Sequence, residues 1–513
     1  MTQHFDHPQD LADWLRQRVA GELRCDSRRL KADDGFVAWP GGVHDARQFV
    51  SAALDGGASA AVVEAHDLAA WGPWDHRVAS LHELKTHAGE VAAAFYAQPM
   101  RDLSAVAITG TNGKTSTAWW LAQLLCRLAQ PCAIVGTLGL GTPTSSAGDW
   151  TWEPTGLTTP DPVVLHSQSR RWVDAGVRAC AMEASSIGLV EKRLNGAHLR
   201  VAVFTNFTQD HLDFHGDMAS YWAAKSSLFD WPTLEAAVIH LDDPKGPLLQ
   251  AAWAHRPQDV WTVSADEQRA EAARLQVRAL SANAAGQSFD LIEHDAHGLE
   301  LGRWRVDCPL LGDYNRVNLL CVLASVRALG VDMGRAVAMC PSLTAVPGRL
   351  QPICSGQAAE PLVLVDYAHT PDAVEQVLRV AREVADRRGG AVWAVLGCGG
   401  DRDASKRPLM AAAAERGADR VVLTSDNPRS ESPVSILDAM AAGLVSKGQA
   451  VLEIDRAQAI DLALQAASPS DVVVIAGKGH EDYQEVAGVR HPFSDARVAL
   501  AALQQRAQQG VRA

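Results

Sequence analysis

Ala105-Val106-Ala107-Ile108-Thr109-Gly110-Thr111-Asn112-Gly113-Lys114-Thr115-Ser116 is the stretch that decides the fold. Four successive apolar residues read as a strand buried on both faces. A helical pattern follows and runs through Leu125. Between them, glycines let backbone N–H groups close on an anion. The helix start and Lys114 add positive potential, and the Thr115 hydroxyl can reach Mg²⁺. The match to G-x-x-x-x-G-K-[ST] is incomplete, because Ile108 stands at the first glycine position. The plain alternative is a glycine turn with a surface lysine. Taken alone, the loop leaves an ATPase, a kinase, a GTPase and a ligase open.

Upstream, Phe36-Val37-Ala38-Trp39 reads as a strand ending in the turn Pro40-Gly41-Gly42. Phe49 to Leu54 reads as a helix, and Ala60 to Val63 as the next strand. A helix from about Leu81 to Tyr96 leads into Gln98-Pro99, a boundary, since the proline ring clashes with a preceding helical turn. Downstream, strands recur at Ala133–Val135, Ala179–Met182 and Val201–Phe204. From Leu275 to Pro309 apolar and polar residues alternate, as in Trp304-Arg305-Val306, which suggests antiparallel strands. A helix from Asn315 to Leu329 closes this block. Beyond Leu350, strands at Leu362–Val365, Val392–Leu396, Arg420–Leu423 and Val472–Ala476 alternate with helices such as Asp372–Val384. That order implies a parallel sheet covered on both faces. The expectation is an α/β protein of three domains: an N-terminal α/β domain over 1–98, a central P-loop ATPase-like domain over 99–346 and a C-terminal Rossmann-like domain over 347–513.

Composition narrows the function. Hydrophobic residues at 47% and charged residues at 21% exclude a wholly disordered chain. The formal charge of -13 argues against a general nucleic-acid binder, while a local basic pocket could still take an anionic small molecule. The nine cysteines are odd in number and none has C-x-x-C spacing, so they read as reduced, mostly buried thiols rather than a disulfide frame or zinc site. The polar start MTQHFDHPQD is not a signal peptide, and no apolar run approaches the ~18 residues needed to cross a bilayer. A soluble, cytoplasmic monomer without membrane or nucleic-acid partners is expected.

Several polar residues stand where chemistry could occur. Glu183 ends an apolar strand, and an ionised carboxylate there needs a partner; Mg²⁺, a hard cation, suits it. His211 is a less typical Mg²⁺ ligand, and a hydrogen-bonded cluster with Asp213 and His215 is its alternative. Lys225 lies in the helical stretch Tyr221–Lys225, where a lysine is usually solvated. Asp366 follows a strand, at the edge where open α/β sheets bind ligands, although a helix-cap role is also open. Arg402 and Arg429 are the informative basic residues of the last domain; a surface salt bridge is the alternative for Arg429.

Together the motifs resemble the Mur ligase family over nearly the whole chain. The likeness rests on Asp26-Ser27-Arg28, the loop as G-T-N-G-K-[ST], Thr158-Thr159-Pro160, Met182-Glu183-Ala184-Ser185-Ser186, Thr205-Asn206 and Asp210-His211-Leu212-Asp213. It continues through Lys225, Asn315, Asn318, Pro347-Gly348-Arg349, Asp366–Pro371, Gly399–Arg402, Asp426-Asn427-Pro428-Arg429 and Gly477–Glu481. The resemblance implies ATP bound by Gly110, Thr111, Asn112, Gly113, Lys114, Thr115 and Ser116, with adenine and ribose contacts at Asn315, Asn318, Arg349, Asp366 and His369. It implies Mg²⁺ near Thr115, Glu183, His211 and Lys225, with Lys225 carrying CO₂ as a carbamate. An ammonium would repel the metal, whereas a carbamate offers oxygens; its formation requires a neutral amine. Lys114, Glu183, His211 and Lys225 are thereby the catalytic set.

On the same resemblance, Ser27 and Arg28 hold a uridine nucleotide, and Thr158, Thr159, Ser185 and Arg193 its muramoyl-dipeptide. Asp426, Asn427, Pro428 and Arg429 resemble a diaminopimelate-selecting motif, with Arg402, Gly477 and Glu481 beside the same substrate. A guanidinium can grip the distal carboxylate, and lysine would leave it unpaired. Two positions depart from many relatives: Ile187 stands in place of His, and Glu191 in place of Gln. The implied reaction adds meso-2,6-diaminopimelate to UDP-N-acetylmuramoyl-L-alanyl-D-glutamate through an acyl phosphate, in peptidoglycan precursor synthesis, with domain closure excluding water. The rivals are a folylpolyglutamate-synthase-like ligase and a nucleotide-dependent binding protein that does not ligate.

Overall fold

Strands that are apolar without alternation set the architecture. Ala60–Glu64, Cys132–Gly136, Ala179–Glu183, Ala236–His240 and Val472–Ala476 are buried along their whole length. Helices cover both faces of such strands, so every side chain meets a core rather than every second one. The computed structural model describes residues 2–510 apart from 43, 147–148, 270–272, 284–285, 358, 447 and 449. One unit runs to Ala279 and adds Phe289–Val306 and Tyr314–Pro341; a second takes Leu280–Ser288, Asp307–Asp313 and the chain from Ser342.

The first unit contains a small parallel sheet in the order Gln3–Phe5, Val78–Leu81, Ala60–Glu64, Gly35–Ala38, Leu23–Arg24. Leu11, Trp14, Leu15 and Val91 fill one core against it, and Phe36, Val50 and Leu54 another. The single helix expected over 81–96 is instead the strand Val78–Leu81 followed by the helix Leu84–Phe95. Glu83, at φ +52, turns the chain between them.

In the same unit a larger sheet runs Asp259–Ser264, Ala236–His240, Val201–Phe204, Ser104–Thr109, Ala179–Glu183, Cys132–Gly136, all parallel. Gly139–Pro143 and Trp150–Glu153 continue it as an antiparallel pair that the sequence reading did not find. Register places Ile108 opposite Glu183, and Thr109 opposite Phe204. Three neighbouring strand ends therefore deliver the glycine loop, Glu183 and Thr205-Asn206 to one edge, the usual ligand edge of an open α/β sheet. The alternating stretch forms the strands Leu275–Asn283, Gly286–His294 and Glu300–Cys308; its residues 284–285 lie outside the described residues. The closing helix spans Asp313–Ala328.

The second unit holds a sheet ordered Gln351–Ile353, Leu362–Asp366, Val472–Ala476, Val392–Cys398, Arg420–Ser425, Val451–Leu452, antiparallel only at its first pair. Its helix Pro371–Arg388 shows why the sequence was readable here. Thr370 caps it by accepting from the Ala373 N–H at 3.3 Å, and Pro371 occupies the first turn. Arg387 and Arg388 oppose the dipole at its end, and Gly389 terminates it at φ +68. The ends of strands at Cys398, Ser425 and Ala476 lead into the segments with Arg402, Asp426–Arg429 and Gly477–Glu481. Among the described residues no helix is long and apolar enough to cross a membrane.

Candidate active site

Gly113 opens the helix Lys114–Arg127 at φ +84, and a Cβ there would strike the Asn318 carboxamide. Asn318 in turn donates to Asn315 Oδ1 at 3.2 Å, so these two asparagines lie buried beside the loop. The loop is strapped to the next strand end. Asn206 accepts from the Asn112 N–H at 2.9 Å, its own amide donates to the Asn112 carbonyl at 3.0 Å, and Thr205 Oγ1 donates to that carbonyl at 2.6 Å. Lys114 folds back and donates to the carbonyls of Gly110 and Thr111 at 2.8 and 2.9 Å. Thr115 and Ser116 are half-buried at the helix start.

Lys225 is only 1% exposed, and its Nζ donates to the same Gly110 carbonyl at 2.7 Å. Two lysine amines thus share one acceptor. Burial above all, and then the neighbouring Lys114 cation, push the Lys225 amine down to about 6, against a weaker opposing pull from Asp210. At neutral pH it is predominantly the neutral, nucleophilic form. The amine lies 4.5 Å from the centroid of Tyr221, whose hydroxyl is pushed up to about 12, mainly by burial, and contacts Thr111 Oγ1 at 3.2 Å. His211 stands at the left-handed φ of +51 and its ring lies 3.5 Å from Asp210. The nearby His215 bonds Ser186 Oγ at 2.9 Å, and burial, His211 and Lys225 hold its pKa down.

Glu183, 1% exposed, accepts from the Thr137 N–H at 2.9 Å and from the Thr137 hydroxyl at 3.3 Å. Thr137 Oγ1 also reaches Thr158 Oγ1 at 3.3 Å. Thr159 is buried, donates to the Glu183 carbonyl at 2.8 Å and lies 3.0 Å from Ser185 Oγ. Ser185 caps the helix Ser186–Val190, and Arg193 donates to the Thr159 carbonyl at 3.2 Å. Thr158, Thr159, Ser185 and Arg193 are therefore one connected group around the Glu183 strand end. Glu191 is paired with Lys85 at 2.7 Å, so the extra charge noted in the sequence is matched. In the small sheet domain, Ser27 starts a short 3₁₀ turn capped by Asp26. Arg28 is exposed and donates to both Asp26 oxygens, at 2.9 and 2.8 Å, which holds that carboxyl below its ordinary range.

In the second unit, Asp366 accepts from the Leu350 and Ala368 N–H groups at 2.7 and 2.8 Å. Burial nevertheless raises its pKa, against the lowering influence of Arg349. Arg349 lies 4.9 Å from the Tyr367 ring, and His369 packs on that ring edge-on at 4.7 Å. Arg429 adopts φ +53, and its Nη1 donates to the Gly400 carbonyl at 2.6 Å. Asn427 donates to Glu481 Oε2 at 2.7 Å, and a Cβ on Gly477, at φ +116, would strike Asp426. Arg402 is exposed on the segment after Cys398.

A family model described as the Mur ligase middle domain matches residues 108–326, and one described as Mur ligase, glutamate ligase domain, matches residues 348–479. The chain belongs to the Mur ligase family. Mur ligases are ATP-dependent enzymes that form amide bonds. A UDP-N-acetylmuramoyl-L-alanyl-D-glutamate–2,6-diaminopimelate ligase of Acidovorax sp. (strain JS42) is 48% identical over 505 residues, covering 97% of each chain. One of the same description from Ralstonia nicotianae is 44% identical, covering 96% of this chain and 95% of its own. A solved structure of such a ligase aligns with a TM-score of 0.67 at 35% identity over 95% of both chains. Mycobacterium tuberculosis folylpolyglutamate synthase, at 22% identity and a TM-score of 0.57, shares the fold.

Within this Mur ligase, sequence reasoning gave no role to Thr137, Tyr221 or Lys478. Thr137 carries no local signal, because Thr158 and Glu183 are distant along the chain. Tyr221 lies one helical turn before Lys225, but its bond to Thr111 is distant too. Lys478 sits between two glycines at a strand end, a pattern that could have marked it.

Proposed function

We propose that the chain joins meso-2,6-diaminopimelate to UDP-N-acetylmuramoyl-L-alanyl-D-glutamate, with cleavage of ATP to ADP and phosphate, in peptidoglycan precursor synthesis. The observation that carries this reading is Arg429. One Nη is tethered to the Gly400 carbonyl, whereas Nε and Nη2 have no hydrogen-bond partner among the described residues. A planar, pre-oriented guanidinium with donors to spare suits a carboxylate. Glu481 suits the ammonium at the same end of the substrate.

In the reaction, the γ-carboxylate of the D-glutamyl residue attacks the γ-phosphorus of ATP, giving an acyl phosphate and ADP. The amine of diaminopimelate attacks the acyl carbon, loses a proton, and phosphate departs. Lys114 at the loop offsets repulsion between the anionic nucleophile and the triphosphate, and catalysis is mainly placement and charge neutralisation. The Thr115 hydroxyl and the Glu183 carboxylate are hard oxygen donors that fit Mg²⁺, and His211 is the third residue that would hold it. No group of three or more His, Cys, Asp or Glu converges among the described residues; a carbamate on Lys225 would add a further oxygen donor. Mg²⁺ supplies positive charge at the phosphates when bound. Lys225 as a largely neutral amine is ready to add CO₂ with loss of one proton, giving a carbamate anion.

This chain is expected to work as a cytoplasmic monomer. The Cys180, Cys321 and Cys398 thiols, pushed up to about 12 by burial, stay protonated and inert, which suits a reducing compartment. The test is a panel of diaminopimelate isomers, lysine, ornithine and a folate, each with ATP and the uridine precursor, scored by phosphate release. Release with meso-diaminopimelate at least about tenfold above lysine is expected. Release with the folate alone, or none with any amino acid, would overturn the reading.

A further inference from the structure

Lys478 is completely buried, yet it belongs to no phosphate loop. Its ammonium donates to Asn427 Oδ1 at 3.0 Å and to Glu481 Oε2 at 3.1 Å, and lies 3.7 Å from Asp426 Oδ1. Glu481 Oε2 already accepts from Asn427, so this oxygen is spent inside the protein. Glu481 Oε1 has no hydrogen-bond partner among the described residues. The two segments that meet here are also stapled from below. The fully buried Arg456 donates to the carbonyls of Ser425 and Ala476, at 3.1 and 3.0 Å, the residues immediately before Asp426 and Gly477.

The charges around this point can be balanced. Arg456 is matched by Asp495 at 2.7 Å, Glu485 by Arg490 at 3.5 Å, and Glu431 by Arg407 at 2.7 Å. Asp401 and Arg402 are adjacent in the chain, exposed and opposite in charge; Asp401 is also drawn to Arg429, and solvent screens it. Arg349, which acts on Tyr367 and His480 together with Glu481, is set against Asp366. Of the groups left, Asp426 and Glu481 are anions and Lys478 and Arg429 cations, so this set of four is neutral. The distal end of diaminopimelate, one carboxylate and one ammonium, is neutral too. The distal end of lysine carries the ammonium alone.

We infer that Lys478 is a specificity-determining positioning residue: by cancelling one of the two carboxylates it tunes the pocket to a zwitterionic rather than a cationic substrate end. It does so without touching the substrate, holding Glu481 so that a single carboxylate oxygen faces outward. The inference rests on the assignment of Arg429 and Glu481 to the distal end of diaminopimelate. Without Lys478 the group would be left with one net negative charge, which attracts a lone ammonium and repels an added carboxylate. An uncompensated charge at such range in a partly desolvated site shifts preference by about tenfold or more.

The test measures kcat/KM for meso-diaminopimelate and for L-lysine in the full-length enzyme, with thermal unfolding as a folding control. Lys478→Met should lower the diaminopimelate-to-lysine ratio by about tenfold or more, Lys478→Arg should keep it, and Asp426→Asn should raise it. Asp426→Asn with Lys478→Met restores neutrality and should restore the ratio. If Lys478→Met does not fold, the direction taken by Asp426→Asn decides. Ratios unchanged in Lys478→Met and Asp426→Asn, or no rescue in the double variant, would overturn the inference. A wild-type enzyme that does not use diaminopimelate would instead overturn the substrate assignment on which it rests.

Discussion

Lys225 and Lys478 are both removed from solvent, and they meet different neighbours there. Lys225 meets a carbonyl, an aromatic ring and a second lysine. Lys478 meets a carboxamide oxygen and two carboxylates. At Lys225 burial and Lys114 outweigh the pull of Asp210, whereas Lys478 has two carboxylates near its amine, at 3.7 and 3.1 Å. On the proposed reading the first lysine is the nucleophile that accepts CO₂, and the second an electrostatic strut. Burial alone therefore does not assign a lysine its chemistry, and the next charged neighbour does.

The largest effect should come from deleting the nucleophile. Lys225→Ala is expected to lower phosphate release by about a thousandfold or more, with partial recovery on adding short carboxylic acids that replace the carbamate oxygens. Full activity in this variant would remove the carbamate from the mechanism. A pH titration by ¹³C NMR in ¹³CO₂-bicarbonate sharpens the point. The amine, pushed down to about 6, is neutral above that pH and protonated below it, so the carbamate signal should disappear as pH falls through this region. Lys114→Met removes a cation that depresses this pKa, and should move the disappearance to higher pH.

Stability should separate the two lysines as clearly. Lys478→Met leaves Asp426 and Glu481 without their cation, at a cost of about 3–5 kcal/mol in urea unfolding. Lys225→Met removes a mostly neutral amine, and the Gly110 carbonyl keeps its bond from Lys114, so a change within about 1.5 kcal/mol is expected. Equal losses would mean that the surroundings do not distinguish them.

Arg429→Ala acts on the strut's own pocket. It should lower kcat/KM for diaminopimelate by about a hundredfold, while the KM for ATP stays within about twofold, because the guanidinium has no part in the phosphate loop. Equal loss of both would mark a structural arginine.

Much of this was legible in the sequence where neighbours along the chain decide the outcome. The strand Ser104–Thr109, the glycine turn and the helix behind it are local, as is the capped helix Pro371–Arg388. The antiparallel pair Gly139–Pro143 and Trp150–Glu153 was not legible, because Trp150 and Trp152 pack on Trp119 of the helix Lys114–Arg127, a contact that no local pattern shows. Nor was the environment of Lys225: a lysine in a short helix reads as solvated until Gly110, 115 residues earlier, is seen to accept from it. Lys478 falls within the Gly477–Glu481 motif, but its charge balance needs Asp426 and Asn427 from another strand end.

The smallest effect belongs to a third lysine, and it bounds the comparison from the exposed side. Lys85 pairs with Glu191 at 2.7 Å, and both side chains keep about a third of their surface in water. Solvent and salt screen such a pair, so Glu191→Gln should change stability by less than about 1 kcal/mol, and by less still at high ionic strength. The variant also releases the charge of Lys85, the partner of a residue two positions before Arg193, in the part of the chain where an anionic precursor is expected. Its KM for the uridine precursor should therefore fall, by about twofold, and the fall should vanish in Lys85→Met with Glu191→Gln. A rise in KM would instead give Glu191 a direct role in holding the precursor, because removing a mere counter-charge to Lys85 cannot weaken the binding of an anion.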